Sequence, residues 1–139
     1  MLSTVPLKSA ADLDAPVAEV MRHGVIALPS TATLAEAAAA MRDNRVHAVL
    51  VTGSDGGPLG WVTSRGVLHN HARDWSADAS AADAITQPAA SVASTATVGD
   101  ALTVFVATGA SHILVGATTA PGAPLGVIAD SDLVAFMAR

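Results

Sequence analysis

Ser30-Thr31-Ala32-Thr33 returns as Ser94-Thr95-Ala96-Thr97, and this recurrence decides how the chain is read. The offset is 64 positions, from Ser30 to Ser94, and sliding the sequence by it aligns more than the tetrapeptide. Val17-Ala18-Glu19-Val20-Met21 falls on Ala81-Ala82-Asp83-Ala84-Ile85. Ala37 falls on Ala101, Met41 on Phe105, and Val49-Leu50-Val51 on Ile113-Leu114-Val115. The second loop is then longer, the register slips by two, and Gly60-Trp61-Val62 meets Gly126-Val127-Ile128. A repeat this long, in order and nearly ungapped, marks a duplication. Two copies predict a pseudo-symmetric pair, not a solenoid.

Outward from the tetrapeptide, each copy reads alike. Thr33 and Glu36 have capping-box spacing, and Thr97 with Asp100 is a looser version. Leu34, Ala37, Ala38 and Met41 then recur at helical spacing, as do Val98, Ala101, Leu102, Phe105 and Val106. Gly109 is a stop signal. Continuous apolar runs follow, Ala48 to Val51 and Ile113 to Val115, and runs without alternation suit strands covered on both faces. Gly- and Pro-rich loops (Gly53 to Pro58, Gly116 to Pro124) lead to second strands, Leu59 to Val62 and Leu125 to Ile128. Helices close each copy, Ser64 to Arg73 and Asp130 to Ala138. Upstream of the tetrapeptide lie an acidic-apolar helical segment (Pro16 to Met21, Ser80 to Ile85) and a short apolar stretch (Val25 to Leu28, Ala90 to Ala93). The order is helix, strand, helix, strand, strand, helix, twice. Residues 1–15 precede the first domain at 16–74, and the second spans 80–139, with Arg73 to Ser80 and Trp75 as linker.

The totals bound the function. At 139 residues and 51% hydrophobic, the chain can bury a core without staples. A net charge of −5, scattered basic residues and no Tyr argue against nucleic acid. The absence of Cys excludes disulfides and thiol nucleophiles. The first fifteen residues lack the apolar core of a signal peptide, no run approaches the ~18 apolar residues of a membrane span, and a cytoplasmic protein is expected. His69-Asn70-His71 is not a metal pair, because residues two apart on a helix do not face each other. No nucleophile elbow or phosphate-cradling glycine loop appears, so no enzyme is expected.

This order of elements, with Pro29-Ser30-Thr31-Ala32-Thr33-Leu34, the strand around Val49-Leu50-Val51 and a glycine-led strand after each loop, resembles the CBS domain over residues 16 to 139. The resemblance implies an α/β fold in which two tandem copies pack through their sheets into one module. It further implies a homodimer, an adenosine-containing regulatory ligand in the cleft between the copies (AMP, ADP, ATP or S-adenosylmethionine), and an effector protein as target.

The family's nucleotide motif is Gly, apolar, any, Thr or Ser, two of any, Asp, where the last strand enters the last helix. Its hydroxyl contacts ribose or phosphate and its Asp takes the ribose hydroxyls. A helix N-terminus favours an oxyanion, and a carboxylate accepts hydrogen bonds from a diol. Each copy here carries half of it. Gly60 to Gly66 has the hydroxyl of Thr63, but Gly66 stands at the Asp position; Gly126 to Asp132 has the Asp, but Ala129 stands at the hydroxyl position. By this resemblance Asp132 is the ribose acid, with Ser131 replacing the missing hydroxyl and His112 donating to an anion. Asp130 disfavours a polyphosphate there. Thr63, Ser64, Arg65 and His47 form an anion site without a ribose grip. Beside this stand plainer readings. Asp130, Asp132, Thr63 and Ser64 cap helices, Arg65 is a solvated charge, His47 and His112 are strand-edge residues, and Trp61 is core. If both half-motifs are silent, the pair is a dimerisation or docking platform.

Overall fold

In the computed structural model, residues 10–74, 78–116 and 124–138 are described. The strands are β1 (Arg22–His23), β2 (Ala27–Pro29), β3 (Ala48–Thr52), β4 (Pro58–Thr63), β5 (Ser91–Val92), β6 (His112–Gly116) and β7 (Pro124–Ala129). The helices are α1 (Leu34–Asn44), α2 (Ser64–Asp74), α3 (Val98–Thr108) and α4 (Asp130–Met137). The mixed α/β class and the internal repeat stand as the sequence predicts them. Trp75 and the stretch 117–123 lie outside the described residues.

The caps form as their spacing demands. Thr33 Oγ1 accepts from the Glu36 N–H at 3.1 Å while Glu36 Oε1 accepts from the Thr33 N–H at 3.2 Å. Thr97 and Asp100 reciprocate at 3.1 and 2.9 Å. Gly109 ends α3 with a left-handed φ of 68°, a conformation glycine adopts without a Cβ penalty. Arg45 ends α1 in the same conformation, at φ 54°, despite its side chain.

The upstream segments shorten. Where the pattern predicts helices over Pro16 to Met21 and Ser80 to Ile85, each is a single 3-10 turn, Val17–Glu19 and Ala82–Ala84. The leading amide of each segment bonds to the other copy. The Val17 N–H donates to the Ala96 carbonyl at 3.0 Å, and the Ala81 N–H to the Ala32 carbonyl at 2.9 Å. Each turn stops where the chain becomes extended to cross a strand: Arg22 and His23 pair with β7, and the Thr86 N–H donates to the Trp61 carbonyl at 3.1 Å.

These bonds exchange the upstream segments. The chain divides into two compact units, and each joins one copy's helices and strands to the other copy's upstream segment. Among the described residues, one unit holds 24–74 and 78–89; the other gathers 10–23 with 90–116 and 124–138. In the first of these β2 runs parallel to β3 and β3 antiparallel to β4. Its core joins Leu34, Ala37 and Met41 of α1 to Val49, Val51 and Val62, closed by Ala81 and Ala84 from downstream. The second unit has the order β1-β7-β6-β5. Its core joins Val98, Ala101 and Phe105 of α3 to Ile113, Val115, Ile128, Leu133 and Phe136, closed by Val17 and Val20 from upstream. Leu50, Leu114 and Trp61 are buried as well.

The exchange gives the leading glycines a structural reason. β1 crosses β7 with His23 opposite Gly126, and a Cβ on Gly126 would collide with the Arg22 carbonyl oxygen. Around Gly60 the same crossing is made by the segment near Gln87, whose carbonyl oxygen would lie 2.6 Å from a Cβ there. Only glycine lets two backbones approach this closely.

Candidate functional site

The two half-motifs lie at strand-to-helix junctions, one in each unit. At the β7–α4 junction the Asp130 N–H donates to the Ser111 carbonyl at 2.9 Å, and at the β4–α2 junction the Ser64 N–H donates to the His47 carbonyl at 2.8 Å. Structurally, then, His47 stands where Ser111 stands. His112 lies one position further on, opposite Ala129 in the β6–β7 ladder.

Asp132 is the third residue of α4. Its Oδ2 accepts from the Ala129 N–H at 3.0 Å, which satisfies one of the orphan amides at the helix start. Ala129 has no side-chain oxygen to return the bond, so this is half of a capping box. Its Oδ1 accepts from Arg22 Nε at 3.3 Å and Nη2 at 3.2 Å. The Asp132 side chain is 14% exposed and that of Arg22 68%. A carboxylate in the first turn also meets the positive end of the helix dipole. Asp130 and Ser131 are exposed, and Asp130 Oδ1 accepts from the Ser131 N–H at 2.7 Å. His112 is half-buried with Nδ1 2.9 Å from Ser111 Oγ, a contact whose proton sits with either partner according to the tautomer.

The β4–α2 junction is built differently. Thr63 is half-buried and its Oγ1 accepts from the Gly66 N–H at 3.0 Å, so Thr63 caps α2. Ser64, Arg65 and His47 are exposed. Gly66 is buried, and a Cβ there would lie 3.3 Å from Thr86 Cγ2 and 3.4 Å from Thr63 Oγ1. Thr86 is thus to Gly66 what Arg22 is to Asp132, and the 64-residue offset aligns Arg22 with Thr86. The acid and its basic partner are both present in one unit and both replaced in the other.

The structure therefore gathers Asp132, Ser131 and His112 at one junction and Thr63, Ser64, Arg65 and His47 at the other, as the sequence grouped them. It adds Arg22, which the sequence reading missed. Arg22 belongs to no local motif. The one available signal was the paired change, Arg22 with Asp132 against Thr86 with Gly66. Chemically, the β7–α4 junction offers a carboxylate for hydroxyl donors and an exposed guanidinium for an anion. A second ion pair, Arg42 with Asp43 at 2.8 Å, lies at the exposed end of α1. Its guanidinium hydrogen bond holds the Asp43 carboxyl below the usual range, away from both junctions. Among the described residues no cluster of three or more His, Asp or Glu could hold a metal, and no helix is long and apolar enough to cross a membrane.

The sequence model of the CBS domain matches this chain twice, over residues 17–72 and 81–139. No curated protein sequence matches it. Among solved structures, an uncharacterized conserved protein from Pyrococcus horikoshii is 20% identical, with a TM-score of 0.76 over 92% of this chain and 96% of its own. A CBS domain protein from Pyrobaculum aerophilum, complexed with AMP, is 25% identical, with a TM-score of 0.73 over 84% of this chain and 88% of its own. A CBS-domain containing protein from Agrobacterium tumefaciens is 22% identical, with a TM-score of 0.68 over 82% of this chain and 84% of its own.

Proposed function

The chain belongs to the CBS domain family, with two tandem copies, and from that membership we propose a regulatory module that binds an adenine nucleotide at the β7–α4 junction. Asp132 accepts from the ribose hydroxyls there. The observation that carries this reading is the fixing of Asp132, whose Oδ2 is anchored by the Ala129 N–H at 3.0 Å while its side chain keeps 14% of its surface exposed. A carboxylate so held is oriented before a ligand arrives, and preorganisation lowers the entropic cost of binding. The AMP carried by the Pyrobaculum aerophilum relative supports an adenine nucleotide in particular. S-adenosylmethionine has no comparable support.

The two acids in the first turn of α4, Asp130 and Asp132, disfavour each further phosphate, so AMP binds more tightly than ADP, and ADP more tightly than ATP. The β4–α2 junction lacks the acid, and Thr63, Ser64 and Arg65 there serve an anion without gripping a diol. Calorimetric titration of the full chain with AMP, ADP and ATP tests the reading. One high-affinity AMP event, lost in Asp132→Ala and kept in Thr63→Ala, supports it. Heat from none of the three nucleotides overturns it in favour of a dimerisation or docking platform.

A further inference from the structure

Asp132 meets its ligand already engaged. A ribose diol uses both carboxylate oxygens, and Oδ1 is held by two donors of Arg22 while Oδ2 is held by a backbone amide. The amide is part of the helix and stays. The guanidinium is on an arm that is 68% exposed and is free to leave. We infer that Arg22 is a specificity residue, a counter-ion that yields Oδ1 to the ribose and is then recaptured by the ligand's phosphate. This rests on the proposed adenine-nucleotide site.

The physical argument is one of exchange. A diol that engages both oxygens must take an acceptor site on Oδ1 from Arg22, whose two donors occupy that oxygen. A neutral nucleoside gives the released guanidinium nothing in return. A 5′-phosphate lies within the swing of an arginine side chain from the diol, and it replaces one charge-assisted hydrogen bond by another. Arg22 thereby penalises adenosine and favours AMP, without recognising the base. The duplication supports the coupling. In the other unit the acid position is Gly66, no carboxylate needs a counter-ion, and the position of Arg22 is taken by Thr86, packed against Gly66. Arg22 itself is placed by β1, whose register sets Arg22 opposite Val127, so the exchange of upstream segments is what brings the cation to the acid.

The experiment is calorimetric titration of the full chain, wild type, Arg22→Gln and Asp132→Ala, with AMP and with adenosine. Removing the competitor should raise adenosine affinity up to about fivefold, the reach of an exposed ion pair. It should lower AMP affinity by about tenfold or more, the scale of a lost charged hydrogen bond. Arg22→Lys keeps the charge but not the fork and should fall between. If wild type binds AMP, Asp132→Ala abolishes it, and Arg22→Gln leaves the AMP-to-adenosine ratio unchanged, the role of Arg22 is overturned while the nucleotide site stands. If wild type binds neither compound, the site itself fails and the role of Arg22 falls with it. Arg22→Gln must melt as a folded protein. Because Arg22 is exposed, the substitution should cost little stability.

Discussion

Arg22 donates through Nε and Nη2 to a single carboxylate oxygen of Asp132, joining residues 110 positions apart in the chain. The bond links the upstream segment of the first copy to the last helix of the second. It also explains how the two half-motifs differ. The junction with the acid has a cation beside it, and the junction without the acid has a threonine.

Asp132 also serves the fold, and the two roles separate by substitution. Asp132→Ala removes the acceptor for the Ala129 N–H and should lower stability by about 1 kcal/mol, the usual worth of such a cap. The melting temperature should fall by about 3–5 °C for a chain of this size. Asp132→Asn retains an oxygen for that amide and should melt close to wild type. Equal losses in the two variants would show that charge, not the capping bond, carries the stability.

Gly126→Ala should be among the more damaging single-methyl changes. Its Cβ meets the Arg22 backbone, which cannot rotate away as a flexible side chain would. Overpacking of this kind costs about 1–3 kcal/mol. In the course of relieving it β1 must move, so AMP affinity should drop together with the melting temperature. Gly60→Ala meets the Gln87 carbonyl at 2.6 Å and should destabilise comparably, without the effect on AMP. Unchanged melting in both would refute the close crossings.

Arg45→Gly should stabilise. Arg45 ends α1 at φ 54°, where an L side chain costs roughly 1–2 kcal/mol, and Gly109 holds the matching position in the second copy. The gain is offset in part by the freedom glycine adds to the unfolded chain. A rise of about 2–4 °C in differential scanning calorimetry is expected; a fall would mean that Arg45 makes compensating interactions through its side chain.

Thr33→Ala and Thr97→Ala each remove one capping hydroxyl, bonded to Glu36 N–H and Asp100 N–H at 3.1 Å. Each should lower stability by about 1 kcal/mol. Because the two caps are separate and share no partner, the double variant should lose the sum in urea denaturation. A double loss well short of the sum would show the two helices to be coupled.

Much of this protein is legible in its sequence because much of it is local. A capping box needs a hydroxyl and an acid three residues apart, and Thr33 with Glu36 and Thr97 with Asp100 satisfy it wherever the helix lands. Gly109 stops α3 by its own backbone freedom, and the unbroken apolar runs of β3 and β6 declare strands buried on both sides. The duplication itself is a comparison of the chain with itself. The upstream helices fall short because an acidic-apolar hexapeptide beginning with proline has helical character, and nothing in it records that the residues just after it, Arg22–His23 and Thr86–Gln87, must run extended against β7 and Trp61.

By itself, the sequence determined the repeat, the α/β class, the caps and the half-motifs that place Asp132 and Thr63 at helix starts. All of these depend on spacings of a few residues or on self-similarity. Only the tertiary structure decided which copy each upstream segment joins, why Gly60 and Gly126 must lack a side chain, and that Arg22 faces Asp132. Those depend on which backbones cross in space, and hydrophobic periodicity records burial but not the identity of the distant chain that provides it.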